Sequence, residues 1–222
     1  MTKCILLNTW AVHLADGQLD PRFCLSGWLL ALPLLVWALR NTREDQHAKV
    51  ALFSAVFFLG SLIHIPTPFG VRAHLLLTGL LGITLGPASI PAIAAGLTLQ
   101  SIFFGHGGIS CLGLNLLVVG IPSLIGGIAF NFNSVSKKIL FPFGEIQVNQ
   151  RFAGFLIGFS GVIFAVCLQI GILFLAGTTR WTPQIIATPI IYLPLAIAEG
   201  LICSGVTHFI FLVQPEFFPS TK

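Results

Sequence analysis

The sequence predicts an all-α protein, a polytopic membrane helix bundle with about seven transmembrane helices. Composition is the first observation. Of 222 residues, 55% are hydrophobic and only 8% are charged, with a mean hydropathy of +0.95, whereas a soluble domain carries about a quarter charged residues. Distribution is the second. The apolar residues gather in long runs with few charges, each of the kind that reads as a membrane helix. Turn-rich stretches part them: "HIPTPFG", "LGPAS", "GHGG", "FNFNSVSKK" and "GTTRWTP".

Seven runs follow in order. The first extends roughly from Arg22 to Arg40 and the second from Lys49 to Ile65. The third covers His74 to about Gly86, the fourth Ser89 to Phe104, and the fifth about Ile109 to Phe130. The sixth spans Phe152 to Gly177 and the seventh Ile185 to Val213. The third and fourth are shorter than the ~20 residues of a straight crossing. They are rich in small residues, with Gly79, Gly82 and Gly86 in one and Ala88, Ala92, Ala95 and Gly96 in the other. Small residues let helix backbones approach closely in lipid, so these two are expected at the centre, ringed by bulkier Phe-rich helices. No internal repeat is evident. Residues 12–222 are read as one transmembrane domain, preceded by an extension at 1–11.

Seven spans place the termini on opposite faces. With the N-terminus outside, Arg40, Arg43, Lys49, Lys137, Lys138, Arg151 and Lys222 lie inside, and Lys3, Arg22, Arg72 and Arg180 outside. The positive-inside rule favours this orientation, with a cytoplasmic C-terminus. The basic residues are too scattered for a nucleic-acid footprint, despite a net charge of +4. Cys4, Cys24, Cys111, Cys167 and Cys203 form no C-x-x-C pair and read as small buried hydrophobes. There is no Walker loop and no His-Glu-x-x-His, and the glycines of "GLTLQSIFFGHGG" lack the strand-turn-helix setting of a dinucleotide fingerprint.

The orientation sorts the six histidines. His13, His64, His74 and His106 fall at the outer end of the bundle, with Asp16, while His47 and His208 fall toward the cytoplasm. Imidazole is the commonest protein ligand for Zn, Ni, Co and Cu, so a cluster at a bundle mouth suits metal capture. Against this, amphipathic residues favour helix ends, and each histidine alone is explained that way. Asp16 stands in an Asp-Gly turn, with a further possible role in orienting a ligand imidazole. Glu199 lies well inside the seventh run. An intramembrane carboxylate either serves function or pins helix packing by hydrogen bonds, and the sequence supplies it with no partner.

Four segments, "HLADG", "IPTPFGVRAHLLLTGLLGITLGP", "LQSIFFGHGGISCLGLN" and "LPLAIAEGLI", together resemble the CbiM/NikM family. These are the substrate-capture (S) components of energy-coupling-factor cobalt and nickel transporters of the prokaryotic inner membrane. The resemblance implies Co²⁺ or Ni²⁺ as transported substrate, with no organic cofactor and no catalysis by this chain. It also implies a transmembrane coupling (T) protein, a cytoplasmic ATPase pair and an optional small accessory membrane subunit as partners. In that family the mature chain begins Met-His, and the metal sits among four nitrogens in a plane. These are the terminal amine, the amide nitrogen and imidazole of the second residue, and a bundle imidazole. Carried over, they fall on Val12, His13 and His74, with His106 and Asn115 in supporting roles and His64 in none of its own. Such a planar nitrogen set suits Ni(II) or Cu(II). The runner-up readings are a membrane metalloenzyme built on the outer histidines and a structural subunit that binds no metal.

The chain departs from the family pattern at its start, because "MTKCILLNTWA" precedes Val12. The extension is a signal peptide cut after Ala11, or a retained segment that changes the ligand set, or upstream of the true start. The first has a short apolar stretch interrupted by Asn8, against an h-region of ~7–15 residues. The third fits the pattern best: a GTG codon reads as valine internally yet initiates as methionine, giving Met-His-Leu-Ala-Asp-Gly. Mass spectrometry of the mature N-terminal peptide should find that sequence, and a peptide containing Ile5 to Trp10 would exclude it.

Overall fold

The computed structural model describes residues 12–63, 65–66, 72–134, 139–141, 144–146, 150–177 and 183–218. The extension at 1–11 and His64 therefore lie outside the described residues. Seven α-helices occur among them, one in each apolar run. Helix α1 (Pro21–Asn41) begins where Asp20 accepts a hydrogen bond from the Arg22 amide at 2.8 Å. Pro21 takes the first helical position, where a missing N–H is tolerated. α2 (His47–Leu62) leads into a short antiparallel pair, β1 (Ile65–Pro66) and β2 (Arg72–Ala73), with Ile65 opposite Ala73. Then come α3 (Thr78–Leu85), α4 (Ser89–Phe104) and α5 (Leu112–Ser134). A second strand pair, β3 (Ile139–Phe141) and β4 (Gly144–Ile146), precedes α6 (Gln150–Leu175) and α7 (Pro183–Val213).

Contacts at the two ends of the bundle show how the chain runs. At one end, Asp16 is bonded to Ser110 at the head of α5, Ile65 pairs with Ala73, and Leu173 late in α6 clusters with Leu14 and Leu19. At the other end, Lys49 near the start of α2 donates to the Phe217 carbonyl at 2.8 Å, and Phe130 late in α5 meets Phe218. The helices shuttle between these ends, so His13 and Phe218 lie at opposite ones.

Five stretches are long and apolar enough to cross a membrane: 21–41, 78–104, 112–130, 150–175 and 187–213. The stretch 78–104 is not one rod. A straight helix of its 27 residues would be about 40 Å long, yet His74 before it and His106 after it have ring nitrogens 3.3 Å apart. The reversal falls at Gly86, whose φ of 57° an L side chain rarely adopts, followed by Pro87. Thus α3 descends from the histidine end and α4 returns to it, as a splayed hairpin. Helices α2, α3 and α4, of 16, 8 and 16 residues, are each shorter than a straight crossing of about 20 residues. The expected helix bundle is present as seven helices among the described residues, but the expected seven crossings are not shown: five stretches are long and apolar enough to span, and one of them, 78–104, is the α3–α4 hairpin.

All eight residues of α3 are buried, so this helix is the centre of the bundle. The small-residue reading explains how. A Cβ on Gly79 would lie 2.6 Å from the Gly158 Cα of α6, and one on Gly82 would run into the Ser123 carbonyl of α5. The outward surfaces are apolar, with Leu29, Leu30, Ile128, Leu175, Ile190 and Leu212 all exposed, which is what a bilayer covers. The cysteine expectation holds for Cys24, Cys111 and Cys203, which are buried, but Cys167 is exposed on α6. An apolar periphery facing lipid accommodates a thiol as readily as a core does.

Replacing Gly79 by Ala should lower stability by about 1–3 kcal/mol, because the new methyl meets backbone that cannot step aside. The control is Gly171→Ala, which meets open space. Thermal unfolding in detergent should separate the two, and equal midpoints would contradict the close α3–α6 contact.

Candidate metal centre

Three imidazoles meet at one end of the bundle. The metal-ligating atoms of His13, His74 and His106 all lie within 4.8 Å of one another. The His13 and His74 rings are stacked, with centroids 4.8 Å apart and planes inclined by 28°. The His106 ring stands edge-on to both, at 5.2 Å and 5.1 Å. His13 and His74 are buried, at 3% and 0% exposure, while His106 is half-buried toward the mouth. Neutral imidazoles in such a place offer nitrogen lone pairs that suit Ni, Co, Cu or Zn.

His13 is positioned by a non-helical segment, residues 12–15, that packs into the bundle. The Asn115 side chain of α5 accepts from the Leu14 amide at 2.7 Å and donates to the Leu14 carbonyl at 3.0 Å. One amide group thus does for Leu14 what a neighbouring strand would do. Gly107 closes the fit: its φ is 68°, and a Cβ there would lie 2.9 Å from the His13 Cβ.

His74 is positioned by the irregular turn between β2 and α3. Its Nδ1 lies 3.1 Å from the Leu75 carbonyl. A carbonyl only accepts, so Nδ1 carries the proton and Nε2 presents the lone pair. Behind it, the buried Glu199 carboxylate of α7 accepts from the amides of Leu76 and Leu77, the latter at 2.9 Å. The Leu77 amide, at the N-cap, is one of the unpaired donors at the start of α3, and the Leu76 amide immediately precedes it. Leu77 itself has a φ of 51°, a left-handed conformation that costs a non-glycine residue about 1–3 kcal/mol. The two Glu199 bonds hold the chain there. Tyr192, the only tyrosine in the sequence and fully buried, hydrogen-bonds the backbone at both Val12 and His74.

His106 follows the end of α4. Gly105 ends that helix at a φ of 59°, and the His106 amide donates back to the Gln100 carbonyl at 3.2 Å, a Schellman-type cap. The loop beyond is clasped by Asp16, whose carboxylate accepts from the amides of Ile109 and Ser110 at 3.1 Å and 2.9 Å and from the Ser110 hydroxyl. The Ser110 hydroxyl, with those amides, holds the Asp16 carboxyl below the ordinary carboxylate range against a smaller opposing effect of burial. The clasp is therefore in place above the ordinary carboxylate pKa and is lost only as pH falls through the depressed one.

Of the residues singled out in the sequence, His13, His74 and His106 come together, with Val12 buried beside them. Asn115 and Asp16 secure the backbone that carries them. The bonds described for Asp16 go to loop amides and a hydroxyl, so its part in orienting is played on the loop. Glu199, which had no partner in the sequence, supports the turn after His74. Tyr192 and Ser110 were missed. Tyr192 and Glu199 lie seven residues apart, two turns on one face, within the otherwise apolar stretch Pro189–Cys203 of α7, and that spacing was the available signal.

A protein-family model described as "Cobalt uptake substrate-specific transmembrane region", CbiM, matches residues 13–217. A Haemophilus influenzae protein named for metal transport is 30% identical, across 95% of this chain and 98% of its own length. A fused nickel transport protein NikMN from Rhodobacter capsulatus is 38% identical over 49% of this chain and 34% of its own. Among solved structures, one described as a transition metal transporter aligns with a TM-score of 0.76 at 23% identity, covering 90% of this chain and 93% of that one. The last likeness shows a shared fold.

Replacing Glu199 by Ala strands two buried amides, which should cost about 2–6 kcal/mol at about 1–3 kcal/mol per unsatisfied donor. The expected result is a lowered thermal midpoint in detergent, and an unchanged one would mean that the α3 turn holds without this carboxylate.

Proposed function

Because the chain belongs to the CbiM family of transmembrane proteins, we propose that it is the substrate-capture subunit of an energy-coupling-factor transporter for Co²⁺ or Ni²⁺. It is a multi-pass membrane protein of a prokaryotic membrane. The observation that carries the reading is the buried juxtaposition of His13, on a segment folded in from the N-terminal side, with His74 of the bundle. The donor set assigned to the ion is the nitrogen of Val12, the amide nitrogen and imidazole of His13, and the imidazole of His74. Adjacent backbone and side-chain donors of one residue form fused chelate rings, which explains why the histidine follows directly on residue 12.

The histidine end is assigned to the outer face, with the C-terminus cytoplasmic, on the strength of the positive-inside rule. The ion is captured there. Its release is assigned to a transmembrane coupling protein and a pair of cytoplasmic ATPases, with a small accessory membrane subunit as a further partner. The cobalt named by the family model and the nickel named by the Rhodobacter relative both fit, and intrinsic affinity of nitrogen donors rises from Co²⁺ to Ni²⁺. A membrane metalloenzyme would need a general base near the metal, and the nearby Asp16 carboxylate is taken up by the loop at Ile109 and Ser110.

Equilibrium dialysis of the purified chain against Ni²⁺ or Co²⁺ alone should show stoichiometric retention at neutral pH. Retention should weaken as pH falls through the ordinary imidazole range near ~6.5, because only neutral imidazole ligates. His13→Ala and His74→Ala should each abolish retention while the protein still inserts. Full retention by both variants would overturn the assignment.

A further inference from the structure

We propose that Cys24 of α1 and Cys111, the residue before α5, are a site of oxidative modification and close a disulfide bond at the histidine end of the bundle. This rests on the assignment of that end to the outer face, where disulfides persist, and on nothing about the ion.

The two thiols border one oxygen. The Ser110 hydroxyl lies 3.9 Å from the Cys24 sulfur and 3.9 Å from the Cys111 sulfur, and the Cys24 thiol is a hydrogen-bond neighbour of the Cys111 thiol. The other described cysteines have no such company. Cys203 faces Thr207 at 4.0 Å, and Cys167 is exposed on α6.

The backbones that carry the pair are also close enough. A disulfide needs Cα atoms about 4.4–6.8 Å apart, which two helices allow only where they nearly touch. A Cβ on Gly27 of α1 would lie 2.9 Å from the Leu114 amide nitrogen of α5, and one on Gly113 would lie 2.7 Å from the Trp28 nitrogen. Both helices run away from the histidine end. Three steps back from Gly27 and three from Leu114 therefore reach Cys24 and Cys111 together.

Burial decides when the bond forms. Cys24 and Cys111 are 4% and 0% exposed, in a small cluster with Leu14, Leu19, Leu114 and Leu173. A thiol in such surroundings is inert once the fold is complete, so closure belongs to folding, and the same burial shields the finished bond. The oxidant is a reactive disulfide, R–S–S–R, of an oxidising compartment. One cysteine thiolate attacks it and releases R–SH, and the other attacks the mixed disulfide and releases a second R–SH. One S–S bond breaks as one forms, and two electrons and two protons pass from the cysteines to the two R–SH. The bridge fastens α1 to the neighbour of Ser110, the residue that Asp16 grips.

Mass spectrometry of the full chain, alkylated in its own membranes and digested without reductant, reads the bond directly. A linked Cys24–Cys111 peptide that disappears on reduction is expected, with Cys167 and Cys203 unlinked. Reduction should lower the thermal midpoint in detergent by about 5–15 °C, the usual worth of a disulfide in a chain of this size. The double variant Cys24→Ser, Cys111→Ser should melt at the reduced midpoint and respond no further to reductant. Alkylated Cys24 and Cys111 in the membrane-derived chain overturn the resident bridge. The cause then shows in chain synthesised into lipid nanodiscs under oxidised glutathione: closure there puts the failure in the outer-face assignment, and free thiols overturn the pairing itself. Neither readout depends on Ni²⁺ retention, so a failure of capture is seen separately.

Discussion

Irregular backbone inside an apolar bundle must have its N–H and C=O groups satisfied by protein, because lipid offers them nothing. The site depends on this constraint at two places, the inserted segment around His13 and the turn after His74. A helix satisfies its own backbone, and these non-helical segments do not. The chain supplies their partners from helices: Asn115 for Leu14, and Glu199 for Leu76 and Leu77. Each partner is a buried polar group that would be costly in its own right and is made tolerable by the same bonds. Tyr192 adds a tie to both segments at once. The imidazoles are in place because these backbone groups are.

Much of the bundle was legible in the sequence, because the cost of exposing polar groups to lipid writes helices as apolar runs. The fourth run and α4 share their bounds, and the others differ by a few residues at the ends. The centrality of α3 was legible too, through Gly79 and Gly82, which let neighbouring backbones approach closely. The reversal between α3 and α4 was marked by "LGPAS" as a break. Its direction was not, because a Gly-Pro break shows that a helix stops and says nothing of where the next one points. Span count suffers in the same way: a run too short to cross can still be a helix in a hairpin.

The site was legible in part. His13 and His74 came through motifs that the chain shares with its family, and the convergence of His106 came from topology at the level of which end of the bundle it occupies. Its proximity to His74 was beyond reach, since 32 residues and a helix reversal separate them. Glu199 shows a deeper limit. Its partners are backbone amides 122 and 123 residues away, and every residue except proline carries an identical amide. No residue type at the far position could have advertised the contact. Asp16 was visible as a turn residue, but its partner Ser110 was not, because a clasp between two loops has no periodicity to read.

The hydrogen bonds divide the three imidazoles into two mountings. His13 and His106 ride on one, where Asn115 and Asp16 knit the inserted segment to the head of α5 and its loop. His74 rides on the other, seated on α7 through Glu199, and Tyr192 ties the two together. Each mounting is fastened by its own bonds. A small slide of one past the other would part the imidazoles and leave the bonds inside each mounting unbroken.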